Sequence, residues 1–140
     1  MRIKQAIQQS IKVKEKILQD EPFLLMIDEV ANSCVTALKQ GNQVLFCGNG
    51  GSAADAQHLA AEFSGRYYFD REPLNAEALH VNTSYLTAVA NDYSFNEVFS
   101  RLVQAKGKKG DVLFGLTTSG NSENVVRAME TARSLGMVTV

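Results

Sequence analysis

An α/β fold built on a parallel sheet is what this sequence predicts, on three observations. Short apolar runs with the composition of strands, residues 44–47 and 112–116 above all, alternate with longer stretches of helical period. The run Val44-Leu45-Phe46-Cys47 is apolar throughout rather than alternating, the pattern of a strand covered on both faces. It then passes straight through a glycine-rich turn into a helix-forming segment. Strands and helices in alternation imply parallel strands joined by right-handed crossovers.

Taken in order, Ile3, Ile7, Ile11, Val13, Ile17 and Leu18 put apolar residues on one face of a first helix, with lysines between them. That face needs another surface to cover it, such as a neighbouring subunit. Pro22 opens a second helix, where its missing N–H costs nothing. Phe23, Met26, Ile27, Val30, Cys34 and Leu38 give this helix its apolar face, and Gly41 stops it. After strand 44–47 and the glycine loop, Ser52 is the expected N-cap of a helix over 53–63. Residues 67–73 read as a polar surface loop and 76–81 as a second strand. Asn82, Thr83 and Ser84 are N-cap candidates for a helix over 85–90, which Asn91 and Asp92 end. A further helix is expected over 95–105, then a lysine-rich turn over 106–110 and the third strand over 112–116. A polar loop over 117–122 leads into a helix over 123–135, closed by Gly136, and 137–140 begin a fourth strand.

One hundred and forty residues make one domain, able to bury roughly two thirds of its unfolded surface. A formal net charge of −1 provides no field to attract nucleic acid or a membrane surface. The N-terminus lacks the apolar core and cleavage site of a signal peptide, and no apolar run reaches membrane-spanning length. Cys34 and Cys47 are expected as reduced core residues of a cytoplasmic protein. The chain stops inside an apolar strand. It is therefore expected to be a single domain truncated at its C-terminal end: N-terminal helices over 1–40 and a sheet core over 41–140.

Gly48-Asn49-Gly50-Gly51 lets a ligand approach the main chain, and a helix start beside it aims free N–H groups and a positive dipole end at one spot. That spot suits a phosphate; the alternative is a tight strand-to-helix turn with no ligand. The pattern is neither a P-loop nor a dinucleotide fingerprint. His58 and Glu62, four apart on the following helix, can share a divalent metal or work as an acid/base pair. The plainer reading makes them surface polar residues. Thr117, Thr118, Ser119 and Ser122 form a second hydroxyl-rich loop, either a turn or a phosphate cradle. In an open α/β sheet both loops leave strands at the ligand-binding end.

The run from Cys47 to Glu62, with Ser64-Gly65-Arg66-Tyr67 behind it, resembles the signature of the sugar isomerase (SIS) domain of phosphoheptose isomerases. Ala90-Asn91-Asp92-Tyr93 and the 117–122 block follow in that family's order. The resemblance implies a flavodoxin-like, three-layer αβα sandwich, and conversion of sedoheptulose 7-phosphate to a mannoheptose 7-phosphate for lipopolysaccharide synthesis. It implies Glu62 as catalytic base and His58 and Glu62 as zinc ligands. Asn49, Gly50, Gly51 and Ser52, with Asn91 and Asp92, correspond to the sugar-binding positions, and Thr117, Thr118, Ser119 and Ser122 to the phosphate site. Asp92 could equally be a helix-terminal cap. The family's remaining zinc ligands, a Gln and a His, and its partner acid come from C-terminal helices that these residues do not include. The 140-residue chain alone is accordingly expected to be nearly inactive. His80 reads as structural and Asp55 as facing solvent or a neighbouring helix.

Family members are tetramers with sites near subunit boundaries, so a homo-oligomer is expected. The rival reading is a non-catalytic SIS module that binds a sugar phosphate or a protein partner, as in proteins that associate with a replication initiator. Those relatives tend to lack the helix carboxylate, so Glu62 favours the enzyme.

Overall fold

Four consecutive apolar residues in the middle of the chain form the innermost strand. In the computed structural model, which describes residues 1–140, β1 (Val44–Gly48) is buried from end to end. It pairs in parallel with β2 (Ala76–Ala78) on one side and β3 (Val112–Leu116) on the other. β4 (Val138–Thr139) pairs in parallel with β3, so the sheet order is β2-β1-β3-β4. Six helices accompany it: α1 (Arg2–Leu18), α2 (Glu21–Lys39), α3 (Gly51–Ser64), α4 (Thr83–Asp92), α5 (Val98–Lys106) and α6 (Glu123–Ser134).

The chain divides into two compact units, residues 1–33 and 34–140, with the boundary inside α2. In the first unit, the Asp20 carboxylate accepts the Phe23 N–H at 3.1 Å and caps α2. The helix therefore starts at Glu21, and Pro22 is its second residue rather than its first. Ile3, Ile7, Ile11, Val13 and Leu18 on α1 are all exposed.

The second unit has three layers because successive β1 side chains point to opposite faces. Val44 and Phe46 meet Cys34, Ala37, Ala56, Ala60 and Val112 on one face. Leu45 and Cys47 meet Leu113, Val98, Phe99, Val103 and the inner side of α6 on the other. Removing each such Val, Leu or Phe side chain from water stabilises the fold by roughly 1.5–3 kcal/mol. Phe46 also stacks on Phe114 (centroids 5.1 Å apart) and meets Phe63 edge-on at 5.8 Å. The small residues Ala56 and Ala60 let α3 lie close against the sheet.

Three expectations about elements need correction. The second strand ends at Ala78, not at 81: Leu79 is still buried, but its N–H bonds the Phe46 carbonyl as the chain begins to turn. The helix expected over 95–105 is a 3-10 turn, Phe95–Glu97, followed by α5. Ser52 is not the N-cap of α3. Gly50 holds that position with φ 55° and ψ −120°, a conformation side chains resist, so the helix begins at Gly51.

Candidate functional site

From β1 the chain crosses to β2 on one side of the sheet's centre, then returns past β1 to β3 and continues outward to β4. The direction of winding reverses between β1 and β3. Such a reversal opens a crevice beyond the carboxyl ends of the two strands, where open α/β sheets bind ligands. Loop 48–51 and loop 117–122 flank this crevice. The two strands end level, with Gly48 and Leu116 as Cα partners.

Gly48 is a packing requirement. A β-carbon there would lie 2.8 Å from the Ser52 carbonyl oxygen and 2.9 Å from that of Leu116, both backbone atoms. The absence of a side chain is what lets the first turn of α3 settle over the end of β3. Ser52 donates its N–H to the Asn49 carbonyl, and Ala53 and Ala54 donate to that of Gly50, which closes the turn. The Asn49 side chain is held away from the loop's open side. It exchanges two hydrogen bonds with the buried Asn124 amide, at 2.9 and 2.8 Å.

Across the crevice, Ser122 occupies the N-cap position of α6, as the sequence predicts, but its hydroxyl does not cap. It pairs instead with Thr117 Oγ1 at 3.1 Å, and the same Thr117 oxygen lies 3.3 Å from Ser119 Oγ. Ser119 Oγ accepts the Asn121 N–H at 3.2 Å. Three hydroxyls are thus gathered into one string beside the positive end of α6. Hydroxyls that share hydrogen bonds with one another can turn toward an anion without leaving a buried group unpaired. Thr118 is exposed on the same loop and makes no side-chain hydrogen bond within it.

His58 and Glu62 meet on the outer face of α3, with His58 Nε2 3.1 Å from Glu62 Oε1. The His58 side chain is 75% exposed and that of Glu62 35%, so the imidazole is open while the carboxylate is half sheltered. Two donors bound to one tetrahedral zinc at about 2.05 Å stand roughly 3.4 Å apart. The His58–Glu62 separation is close to that, so the pair fits two positions of a zinc site. No third His, Cys, Asp or Glu completes the set within this chain.

A cavity of about 900 Å³ opens beside the pair, lined by Asp55, Glu62, Tyr67, Tyr68, Phe69 and Leu116 among others. Its aromatic wall belongs to the segment the sequence presents as a polar loop. Arg71 folds that segment back: one guanidinium nitrogen donates to the Glu62 carbonyl at 2.8 Å and the other to that of Phe63 at 2.9 Å. Leu74 N–H also bonds Phe63. The Tyr67 hydroxyl is raised above the usual phenol range, first by the Tyr68 side chain, then by desolvation and the Glu62 negative charge.

The other candidate residues separate. Asn91 and Asp92 form the exposed end of α4 and bond each other (2.9 Å); neither bonds to either loop. Asp55 is exposed on the cavity rim. His80, just after β2, buries its Nδ1 with no partner, and that burial lowers its pKa. Cys47 is fully buried below the glycine loop, with its thiol pushed up to about 12 by desolvation. Asn124 and Arg71 were missed in the sequence. An Asn two residues inside a helix start, followed by apolar Val125 and Val126, is the one local hint of an inward-facing amide.

Comparison with known proteins agrees with this architecture. The SIS domain family matches residues 7–140. The phosphoheptose isomerase of Aneurinibacillus thermoaerophilus is 50% identical over 138 residues, spanning 99% of this chain and 70% of that protein. That of Clostridium acetobutylicum matches with the same identity and coverage. Among solved structures, the phosphoheptose isomerase of Neisseria gonorrhoeae superposes with a TM-score of 0.90 at 41% identity, over 99% of this chain and 71% of that one. The enzyme from Francisella tularensis gives 0.92 at 36% identity, with the same coverage. The chain belongs to the SIS domain family and, within it, to the phosphoheptose isomerases.

Proposed function

We propose that this chain interconverts sedoheptulose 7-phosphate and D-glycero-D-manno-heptose 7-phosphate, supplying nucleotide-activated heptose for lipopolysaccharide. The observation that carries the reading is the half-sheltered Glu62 carboxylate, held on α3 against His58 in a cavity that reaches Leu116 at the end of β3. Phosphate binds at Thr117, Thr118, Ser119 and Ser122, where the hydroxyl string adjoins the start of α6. The backbone N–H groups of Gly50 and Gly51 and the Ser52 side chain face the sugar; Asn91 and Asp92, at the exposed end of α4, are the further sugar-binding positions of this reading.

Ketose-to-aldose isomerisation moves one proton between neighbouring carbons. Glu62 removes the proton from C1 of the ketose, which leaves an enediol shared by C1 and C2. The same carboxylate returns the proton to C2 as C1 becomes the aldehyde, while a second proton passes from the O1 hydroxyl to O2, which ends as the C2 hydroxyl. Its Oε1 faces His58, and Oε2 makes no hydrogen bond, so that oxygen is open for the transfer. His58 and Glu62 would hold a zinc ion, which when bound supplies a Lewis acid for the substrate oxygens. The enzyme works as a cytoplasmic homotetramer in this reading.

The test is turnover of sedoheptulose 7-phosphate in D2O with zinc titrated, in a chain that carries the family's C-terminal helices as well as these residues. Solvent deuterium should appear at C2 of the aldose. Deuterium at C2 would mark a base open to solvent exchange and its absence a direct return of the same proton by Glu62, while no turnover at any zinc level would remove the enzyme reading.

A further inference from the structure

Asn49 and Asn124 are 75 positions apart, yet their amides form a closed, reciprocal pair: each donates one N–H and accepts one, at 2.9 and 2.8 Å. Asn124 is 3% exposed, and its Oδ1 also accepts the N–H of Val125 at 3.0 Å. The oxygen is thus doubly used and the amide cannot rotate without breaking two bonds. Beyond Gly48 and Leu116 the β1–β3 ladder has ended, and no backbone hydrogen bond joins 49–52 to 117–124. The amide pair is therefore the first polar link above the sheet between the two loops that flank the crevice. Two buried amides are a poor way to add cohesion alone, because each must first be stripped of water. Fully satisfied, they fix one relative placement of the groups that carry them.

We propose that Asn124 is a positioning residue for the sugar-phosphate site. Through Asn49 it sets the distance between the glycine loop and the hydroxyl loop, so that one ligand is gripped at both ends. The inference rests on reading the crevice as that site. It assigns the Asn49 side chain to the scaffold and leaves the glycine-loop backbone for the ligand. The consequence is selective: a ligand that spans both loops depends on their spacing, and one that touches only the hydroxyl loop does not.

The test compares two probes, inorganic phosphate and sedoheptulose 7-phosphate, bound to the parent and to Asn124→Ala by calorimetry. The variant should bind inorganic phosphate within about twofold of the parent and the sugar phosphate roughly tenfold more weakly, the loss expected for a hydrogen-bonded pair. Asn49→Ala, which alters a half-buried loop residue, should give the same selective loss if Asn124→Ala folds poorly. The double variant should add little to either single change. Equal losses for both probes, no loss for either, or additive losses in the double variant would overturn the positioning role. A parent that binds neither probe would instead overturn the site reading, and the inference with it.

Discussion

Gly48 and Leu116 face each other as Cα partners at the ends of β1 and β3, and a β-carbon on Gly48 would stand 2.9 Å from the Leu116 carbonyl oxygen. The opposing atoms are backbone and cannot rotate aside. Gly48→Ala should therefore push α3 off the end of the sheet and cost about 1–3 kcal/mol or more, the usual range for overpacking a filled core. Gly51→Ala makes the control, since a β-carbon there meets nothing within 4 Å. Urea midpoints at unchanged slope measure the difference. Equal midpoints for both variants would show that the close approach at Gly48 can relax.

Asp111, fully buried, joins the opposite ends of the same strands. Its carboxylate accepts the Gln43 N–H at 3.1 Å, the Gln43 side-chain amide at 2.8 Å and the Lys108 N–H at 3.0 Å. Asp111→Ala would strand these donors, and each unpaired group costs roughly 1–3 kcal/mol. A fall in thermal midpoint is expected with little change in phosphate affinity, because the clasp lies at the far edge of the sheet from the crevice. A selective loss of phosphate affinity at unchanged midpoint would contradict that separation.

The strands at the centre of this fold were legible because β1 and β3 are covered on both faces and read as unbroken apolar runs. The start of α3 was misjudged because Ser52 has the better capping side chain, while the turn demanded the backbone freedom of Gly50. The cavity wall was invisible for another reason. Tyr67, Tyr68 and Phe69 look like loop residues until Arg71 bonds the Glu62 and Phe63 carbonyls and brings them beside α3. Local pattern carries no information about such side-chain bonds to a neighbouring helix. The Asn49–Asn124 pair is the same case, since only the β1–β3 adjacency brings those two residues together.

Cys47 sits one residue before the glycine loop, yet its thiol is pushed up to about 12 by burial. At neutral pH it therefore stays a thiol rather than the reactive thiolate. Cys34 is also buried, and its pKa is raised by desolvation. Neither thiol should react with a disulfide reagent until the protein unfolds, and both should then react at once. Rapid modification of Cys47 in native protein would mean that the glycine loop opens far enough to expose the strand beneath.

His80 titrates in the opposite sense to a paired histidine. Burial lowers its folded-state pKa below the unfolded value of about 6.5, so the unfolded chain binds the proton more readily. Its contribution to stability is full above that value and is lost as pH falls through it toward the folded pKa. Between pH 7.5 and 5.5 the parent should lose more thermal stability than His80→Gln, which has no proton to gain. Parallel melting curves across that range would show that the imidazole has room to be hydrated.

Glu62 has two tasks in the proposed reaction, and substitution can separate them. Glu62→Gln keeps the shape and one carbonyl oxygen toward His58 but removes the basicity. A positioned general base typically contributes about 10²–10⁴-fold in rate, so in a chain that also carries the family's C-terminal helices turnover of sedoheptulose 7-phosphate should fall by that order. Binding of the sugar phosphate, governed by the hydroxyl loop 117–122, should change little. His58→Ala removes a metal donor and leaves the base. It should weaken zinc binding first, with activity partly restored as zinc is raised. Steady-state assays over a zinc titration, with calorimetry for the ligand, read both variants. If Glu62→Gln turns over as fast as the parent, proton transfer lies with another group and the base must be sought elsewhere in the crevice.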